Sequence, residues 1–239
     1  MSTGLTWTSA AITHVGLARE NNQDAVCARP DLGLWVVADG MGGHSNGEVA
    51  SGLIVESLGR LKSQRDLSAR VEFVEHSLLD VNRRLQELAN TTRQTIGSTV
   101  VVLTTVAHHA ALLWAGDSRL YRARGARLQQ LTTDHSQAEL FIAQGVLPRA
   151  EAMRLPKAQH LTRAIGAHET LRLDLEICAV LPGDRFLLCS DGLDKHVNHD
   201  EIADLMSVST VTTCANRLIE LTLARGAEDN VTVCVVECV

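Results

Sequence analysis

The run Leu32-Gly33-Leu34-Trp35-Val36-Val37-Ala38 contains no polar side chain, so a strand through it must be buried on both faces. A sheet holding such a strand has to be covered on both sides, by helices or by a second sheet. The chain has the means to do this: 45% of its 239 residues are apolar, enough for a substantial core. No repeat, low-complexity tract or Pro/Ser-rich linker interrupts it, and residues 1–239 are read as one domain.

The pattern around that run groups helices between sets of strands. Strands are expected at 5–13, 24–28 and 32–38. A first helix follows from Ser45, where Ser45 and Glu48 form a capping box ahead of Val49, Leu53, Ile54 and Leu58. A second, over about 67–90, carries a stripe at Val71, Val74, Leu78, Val81, Leu85 and Leu88. Strands at 98–106, 110–115 and 120–123 are expected to form an antiparallel meander. Residues 137–160, with Pro148 and Pro156, read as a flap. Strands near 171–177 and 185–189, helices near 198–207 and 211–224, and a strand at 231–236 complete an α+β chain.

Several function classes are disfavoured. A net charge of −6 offers no general attraction to nucleic acid or anionic lipid. With 3% aromatic residues there is little to stack on bases, and Trp7, Trp35 and Trp114 are assigned to the core. No run approaches the roughly 18 apolar residues of a membrane span, and the first residues lack the order of a secretory signal, so a cytoplasmic chain is expected. The cysteines lie in or beside apolar stretches without zinc-site spacing and are read as reduced core residues.

Four acidic residues share one setting. Asp39 ends WVVADG, Asp117 ends ALLWAGD, Asp191 ends FLLCSDG, and Asp229 precedes NVTVCVV, each at the mouth of a buried strand. An Asp-Gly pair alone is an ordinary turn. Four converging carboxylates, however, would repel one another unless a cation neutralised them, and an all-oxygen set favours Mg²⁺ or Mn²⁺ over zinc or copper. Two such ions about 3.5–4 Å apart activate water for in-line attack on phosphorus. Arg19, just before Asp24, supplies a fork suited to phosphate.

At this point the chain resembles the metal-dependent PPM, or type 2C, Ser/Thr protein phosphatases in their compact bacterial form. The resemblance is carried in order by RENNQD (19–24), ADGMGGH (38–44), GST (97–99), AGDSR (115–119), LTTDHS (131–136), LTRAIG (161–166), LCSDGL (188–193) and EDNV (228–231). It implies a four-layer α-β-β-α sandwich, two central antiparallel sheets flanked by helix pairs, with metals in a cleft at one end. By resemblance, Asp39 bridges two ions, the Gly40 carbonyl binds one, and Asp191 and Asp229 hold the other. Asp24 supports the site, Asp117 with Asp191 forms a third, weaker position, and Arg19 contacts the phosphate. Phosphorylated proteins and a partner Ser/Thr kinase are the implied partners, and a monomer is expected.

Two positions depart from the family pattern. Gln23 stands where many relatives carry Glu, and Met41 follows the Asp-Gly where animal enzymes have a histidine proposed as general acid. His44 is the candidate replacement for that acid; His135 is read as structural. Gly43-His44-Ser45-Asn46-Gly47 also matches a hydrolase elbow around Ser45, although the elbow requires its serine directly after a strand. Cys189 with Lys195 six residues on resembles a cysteine-phosphatase loop without its arginine. A binding module of the same fold is the non-enzymatic alternative, and it has no need of the intact carboxylates.

Overall fold

The computed structural model describes residues 5–42, 46–64, 66–208 and 210–239. In chain order, β1 (Trp7–His14), β2 (Asp24–Arg29) and β3 (Leu34–Gly42) precede the helices α1 (Asn46–Gly59) and α2 (Leu67–Thr92). Then come β4 (Ile96–Ser98), β5 (Val100–Val106), β6 (His109–Ala115), β7 (Arg119–Arg124) and β8 (Arg127–Gln130). Two short helices, α3 (Gln137–Ala143) and α4 (Arg149–Ala152), lead to β9 (Asp174–Ala179) and β10 (Arg185–Cys189). The helices α5 (Asp191–Asp194), α6 (His199–Val208) and α7 (Val211–Ala224) precede β11 (Val231–Cys238).

The strands form two antiparallel sheets. One has the order β2-β3-β5-β6-β9, with β4 against the end of β3, and the other has the order β1-β11-β10-β7-β8. The doubly apolar run is explained by its alternation. Leu34, Val36 and Ala38 face α1 and α2, while Trp35 and Val37 face the second sheet. β11 repeats the arrangement, with Val231, Val233 and Val235 toward α5–α7 and Cys234, Val236 and Cys238 between the sheets. The result is the expected α+β sandwich of four layers.

Local chemistry sets the element ends. Asp66 caps α2 by accepting from the Ser68 N–H at 3.1 Å. Mid-helix Asn82 is buried, yet it donates to the His168 carbonyl at 2.9 Å and accepts from the Gly166 N–H at 2.7 Å, which ties the 165–169 loop to α2. Ser136 caps α3. Ala138, Ala152 and Ala158 give the α3–α4 segment a small core of its own with Ile142, Leu147 and Leu155. All six cysteines are free thiols. Among the described residues no helix is long and apolar enough to cross a membrane.

The meander expectation holds for β5 and β6, which pair antiparallel, and fails at β7. β6 and β7 do not pair: β6 lies in the first sheet and β7 in the second, beside β10. Between them Gly116 takes φ +116° against Thr99, a conformation that redirects the chain rather than folding it back as a hairpin. The strand expected at 171–177 begins at Asp174, because Leu171 and Leu173 pack against the helix-side core instead. The capping box at Ser45 lies outside the described residues.

Candidate active site

β2 and β3 pair in a register that sets Asp24 opposite Asp39. The end of β3 is then held from the other side by Ser98 and Thr99. The Asp39 N–H donates to Thr99 Oγ1 (3.2 Å), and its carbonyl accepts from the Thr99 N–H and from Ser98 Oγ (2.9 Å each). The Gly40 N–H donates to the Gln23 carbonyl at 3.1 Å. A Cβ on Gly40 would overlap the Gly47 carbonyl, so only glycine lets α1 approach this closely.

The second sheet contributes the remaining carboxylates. Asp191 opens α5 directly after β10, and Asp229 stands just before β11. Hydroxyls on this sheet grip a carboxylate of the other: Asp24 Oδ2 accepts from Ser190 Oγ and from Thr232 Oγ1, both at 2.7 Å. Asn230 fastens the loop before β2, accepting from the Gln23 N–H (2.8 Å) and donating to the Val15 and Asn21 carbonyls (2.8 and 3.0 Å). Asp39, Asp117, Asp191 and Asp229 therefore line one cleft of about 570 Å³, with Arg19 and Gln159 at its margins and Asp24 behind. Of the residues in the metal-site expectation, Asp39, Gly40, Asp117, Asp191 and Asp229 line this cleft, and Asp24 does not.

The electrostatics show an excess of negative charge. Burial, reinforced by Asp24, Asp191, Asp117 and Asp229, pushes the Asp39 carboxyl well above the usual range. Burial raises Asp117 to about 7, with Asp191 and Asp134 adding to it. It raises Asp24 to about 6 in spite of the two hydroxyls. Asp229 is lowered: burial opposes ionisation, but the Arg19 Nε bond at 2.9 Å and the Lys195 charge prevail. Lys195 Nζ lies 2.6 Å from Asp191 Oδ2 and 3.4 Å from Asp229 Oδ2.

Among the described residues, the buried Oδ1 atoms of Asp24, Asp191 and Asp194 accept no hydrogen bond. Buried anionic oxygens without donors, in an all-carboxylate and carbonyl setting, suit a hard divalent cation. Arg19 is largely exposed at the cleft mouth, and Asp229 engages only its Nε.

Other sequence candidates separate cleanly. His135 is structural: its Nδ1 accepts from the Gly116 N–H at 3.1 Å, which leaves the proton on Nε2, 3.2 Å from Asp174 Oδ2. Cys189 is wholly buried against α5–α7, and burial drives its thiol strongly upward, so it is no nucleophile. His44 and Ser45 lie outside the described residues. The residues that sequence reasoning did not assign are Ser190, Thr232, Asn230, Lys195 and the Arg119 fork, which holds Asp134 (2.7 Å) and Asp194 (2.8 Å). Lys195 alone had a local signal, four residues after Asp191 on a helical turn.

Residues 17–221 match the family described as Protein phosphatase 2C. The chain belongs to the protein phosphatase 2C family. Within it, the serine/threonine protein phosphatase PstP of Mycobacterium tuberculosis is 34% identical over 233 residues, 96% of this chain and 45% of PstP, so the chain spans about half the length of that relative. A solved structure described as PppA, a key regulatory component of T6SS in Pseudomonas aeruginosa, superimposes with a TM-score of 0.92 at 41% identity, covering 99% of each chain. The catalytic domain of PstP in complex with 2 manganese ions gives a TM-score of 0.85 at 33% identity, covering 98% of this chain and 99% of that domain. This type 2C chain thus shares its fold with these solved structures along nearly its whole length.

Proposed function

We propose that this protein is a metal-dependent phosphatase that hydrolyses phosphoserine and phosphothreonine esters on other proteins. The observation that carries the reading is the convergence of Asp39, Asp117, Asp191 and Asp229 from both sheets into one cleft with Arg19 at its mouth, Asp24 lying opposite Asp39 in the strand register. The family membership and the manganese-bound catalytic domain of a relative support it.

In this reading Asp39 and the Gly40 carbonyl, with Asp191 and Asp229, would hold two divalent cations, Mn²⁺ or Mg²⁺, and Asp24 would support them from behind. When bound, the cations supply positive charge against the phosphoryl oxygens and make a water acidic enough to attack near neutral pH. Arg19 orients the phosphate, because Asp229 anchors Nε and leaves the end of the fork toward the cleft. Ser190 and Thr232 keep Asp24 aimed inward. His44 is the candidate to return a proton to the leaving alkoxide. Residues 1–239 act as one unit, monomeric and cytoplasmic, with 137–160 as a flap whose Gln159 edges the cleft. Its work is to reverse a partner Ser/Thr kinase in signalling or secretion control.

The deciding measurement is phosphate release from a phosphothreonine peptide with Mn²⁺, with EDTA, and with Asp191→Ala and Ser45→Ala. Turnover should require the metal and Asp191 and should persist without Ser45. Metal-independent turnover, or turnover abolished by Ser45→Ala alone, would overturn the mechanism. Well-folded, Mn²⁺-loaded protein silent on every phosphopeptide would instead favour a binding module.

Gly192 offers a subtler test. A Cβ there would fall on the Asn230 carbonyl, forcing α5 away from the start of β11 and Asp191 away from Asp229. Gly192→Ala should lower kcat/KM by about 10²-fold through misplacement while costing only about 1–3 kcal/mol of stability. Paired kinetic and thermal measurements decide it, and unchanged kinetics would mean that the α5–β11 contact does not position the site.

A further inference from the structure

Toward the end of the sandwich away from the acidic cleft, a cavity of about 600 Å³ has Trp7, Leu32 and Val106 among its apolar walls. Its volume is in the range of pockets that hold small organic molecules. Leu32 and Gly33 lead directly into β3, whose other end carries Asp39. Six residues of extended chain, roughly 20 Å, therefore separate the cavity from the cleft carboxylates.

Two polar side chains in the lining are more than nine-tenths buried. Arg70, 7% exposed, donates through Nε and Nη2 to the Gln64 carbonyl (3.1 and 2.9 Å) and through Nη1 to the Leu32 carbonyl and, at 3.5 Å, to that of Gly33. All of these partners are neutral. The second Nη2 hydrogen has no acceptor among the described residues. Burial lowers the Arg70 pKa, with no neighbouring charge to counter it. Thr105, 4% exposed, carries a hydroxyl without a hydrogen-bond partner among the described residues. A Cβ on Gly33 would overlap that hydroxyl and stand 3.4 Å from Arg70 Nη1, so glycine keeps both groups open to one space.

A buried guanidinium without a counter-charge is costly to the fold, and its complement here is an anion from outside the chain. We propose that this cavity binds a small organic carboxylate, with its head on Arg70 and Thr105 and its apolar body among Trp7, Leu32 and Val106. The site is separate from the acidic cleft and does not depend on the two-metal reading.

The donors select the head group. One guanidinium N–H and one hydroxyl match the two oxygens of a carboxylate. A phosphate dianion would bring twice the charge to a single cation and would approach Asp31, which lines the same cavity and is itself paired with Arg29 at 2.8 Å. A neutral ligand would leave the Arg70 charge unanswered.

The test is calorimetric titration of the Mn²⁺-loaded full chain with octanoate and with octanol, for wild type, Arg70→Met and Thr105→Val, with melting temperatures measured in parallel. Wild type should take up one octanoate at least about tenfold more tightly than octanol, as expected for a hydrogen bond to a charged group. Saturating octanoate should raise the wild-type melting temperature. Each variant should bind octanoate about tenfold more weakly while binding octanol as wild type does. Inorganic phosphate, directed to the acidic cleft, should not displace octanoate. Where Arg70→Met fails to fold, Thr105→Val, which removes only the hydroxyl's bonding capacity, decides alone. Equal binding of octanoate and octanol, wild-type affinity for octanoate in either folded variant, displacement by phosphate, or no binding of octanoate at all would each overturn the inference. Phosphopeptide turnover, and its dependence on Mn²⁺, would stand or fall separately.

Discussion

Asp39→Asn should lower phosphopeptide turnover by at least about 10³-fold and, in the absence of metal, should raise the melting temperature. The two effects have one origin. Asp39 is pushed far above the usual carboxylate range by burial and by four neighbouring aspartates, so its ionised form is a cost to the fold whenever no cation offsets it. An isosteric amide removes that charge and keeps the strand end intact, since the bonds to Ser98 and Thr99 come from the backbone. A gain of about 2 kcal/mol would appear as roughly 4–8 °C in a chain of this size.

The sign with pH follows from linkage. A carboxyl whose pKa is raised by folding costs nothing below its unfolded value near 4; the cost grows as pH rises and is complete above the folded value. With Asp24 at about 6 and Asp117 at about 7, metal-free wild type should lose stability from about pH 4 to pH 7. His135 works the other way, because burial lowers its pKa and favours the neutral ring, but it is one group against several. Saturating Mn²⁺ should flatten the profile. Thermal melts of both proteins across this range, with and without Mn²⁺, make the comparison; an amide variant less stable than metal-free wild type would contradict the repulsion described here.

Phe186→Ala should destabilise the protein by about 3–5 kcal/mol. Phe186 is completely buried near the start of β10, between the sheets, with the Trp7 ring centroid 6.3 Å away. Truncation leaves a cavity that two hydrogen-bonded sheets cannot easily close. The melting temperature should fall by about 10 °C or more. Denaturant unfolding measures the loss directly, and a change below about 1 kcal/mol would mean that the sheets are not packed on each other through this residue.

How far the sequence revealed the molecule depends on the range of the interaction involved. Runs such as 32–38 and the stripe along α2 are local periodicities, and they announced a doubly covered sheet and a packed helix correctly. The four strand-end aspartates were legible because three close a buried apolar run and Asp229 stands just ahead of one, and the family motifs supplied their grouping. The turn at Gly116 misled, because Gly-Asp-Ser reads as a hairpin and nothing within ten residues reveals that β7 belongs with β10. β8 and α5, four residues each, are too short for periodicity to register. Ser190 and Thr232 were invisible for a further reason: their partner Asp24 is 166 and 208 residues away. Such contacts become evident only once both sheets exist.

The pairing of β11 with both β1 and β10 has a consequence for biosynthesis. Trp7 lies opposite Cys238, and His14 opposite Val231, so the second sheet joins segments made at opposite times during translation. Until β11 has emerged from the ribosome, β1 lacks its neighbour, Asp24 lacks Thr232, and the cleft lacks Asp229. Contacts of such sequence separation form late and slowly. A nascent chain stopped anywhere before residue 229 therefore carries no assembled acidic cleft, and the cleft is completed only when β11 has been delivered.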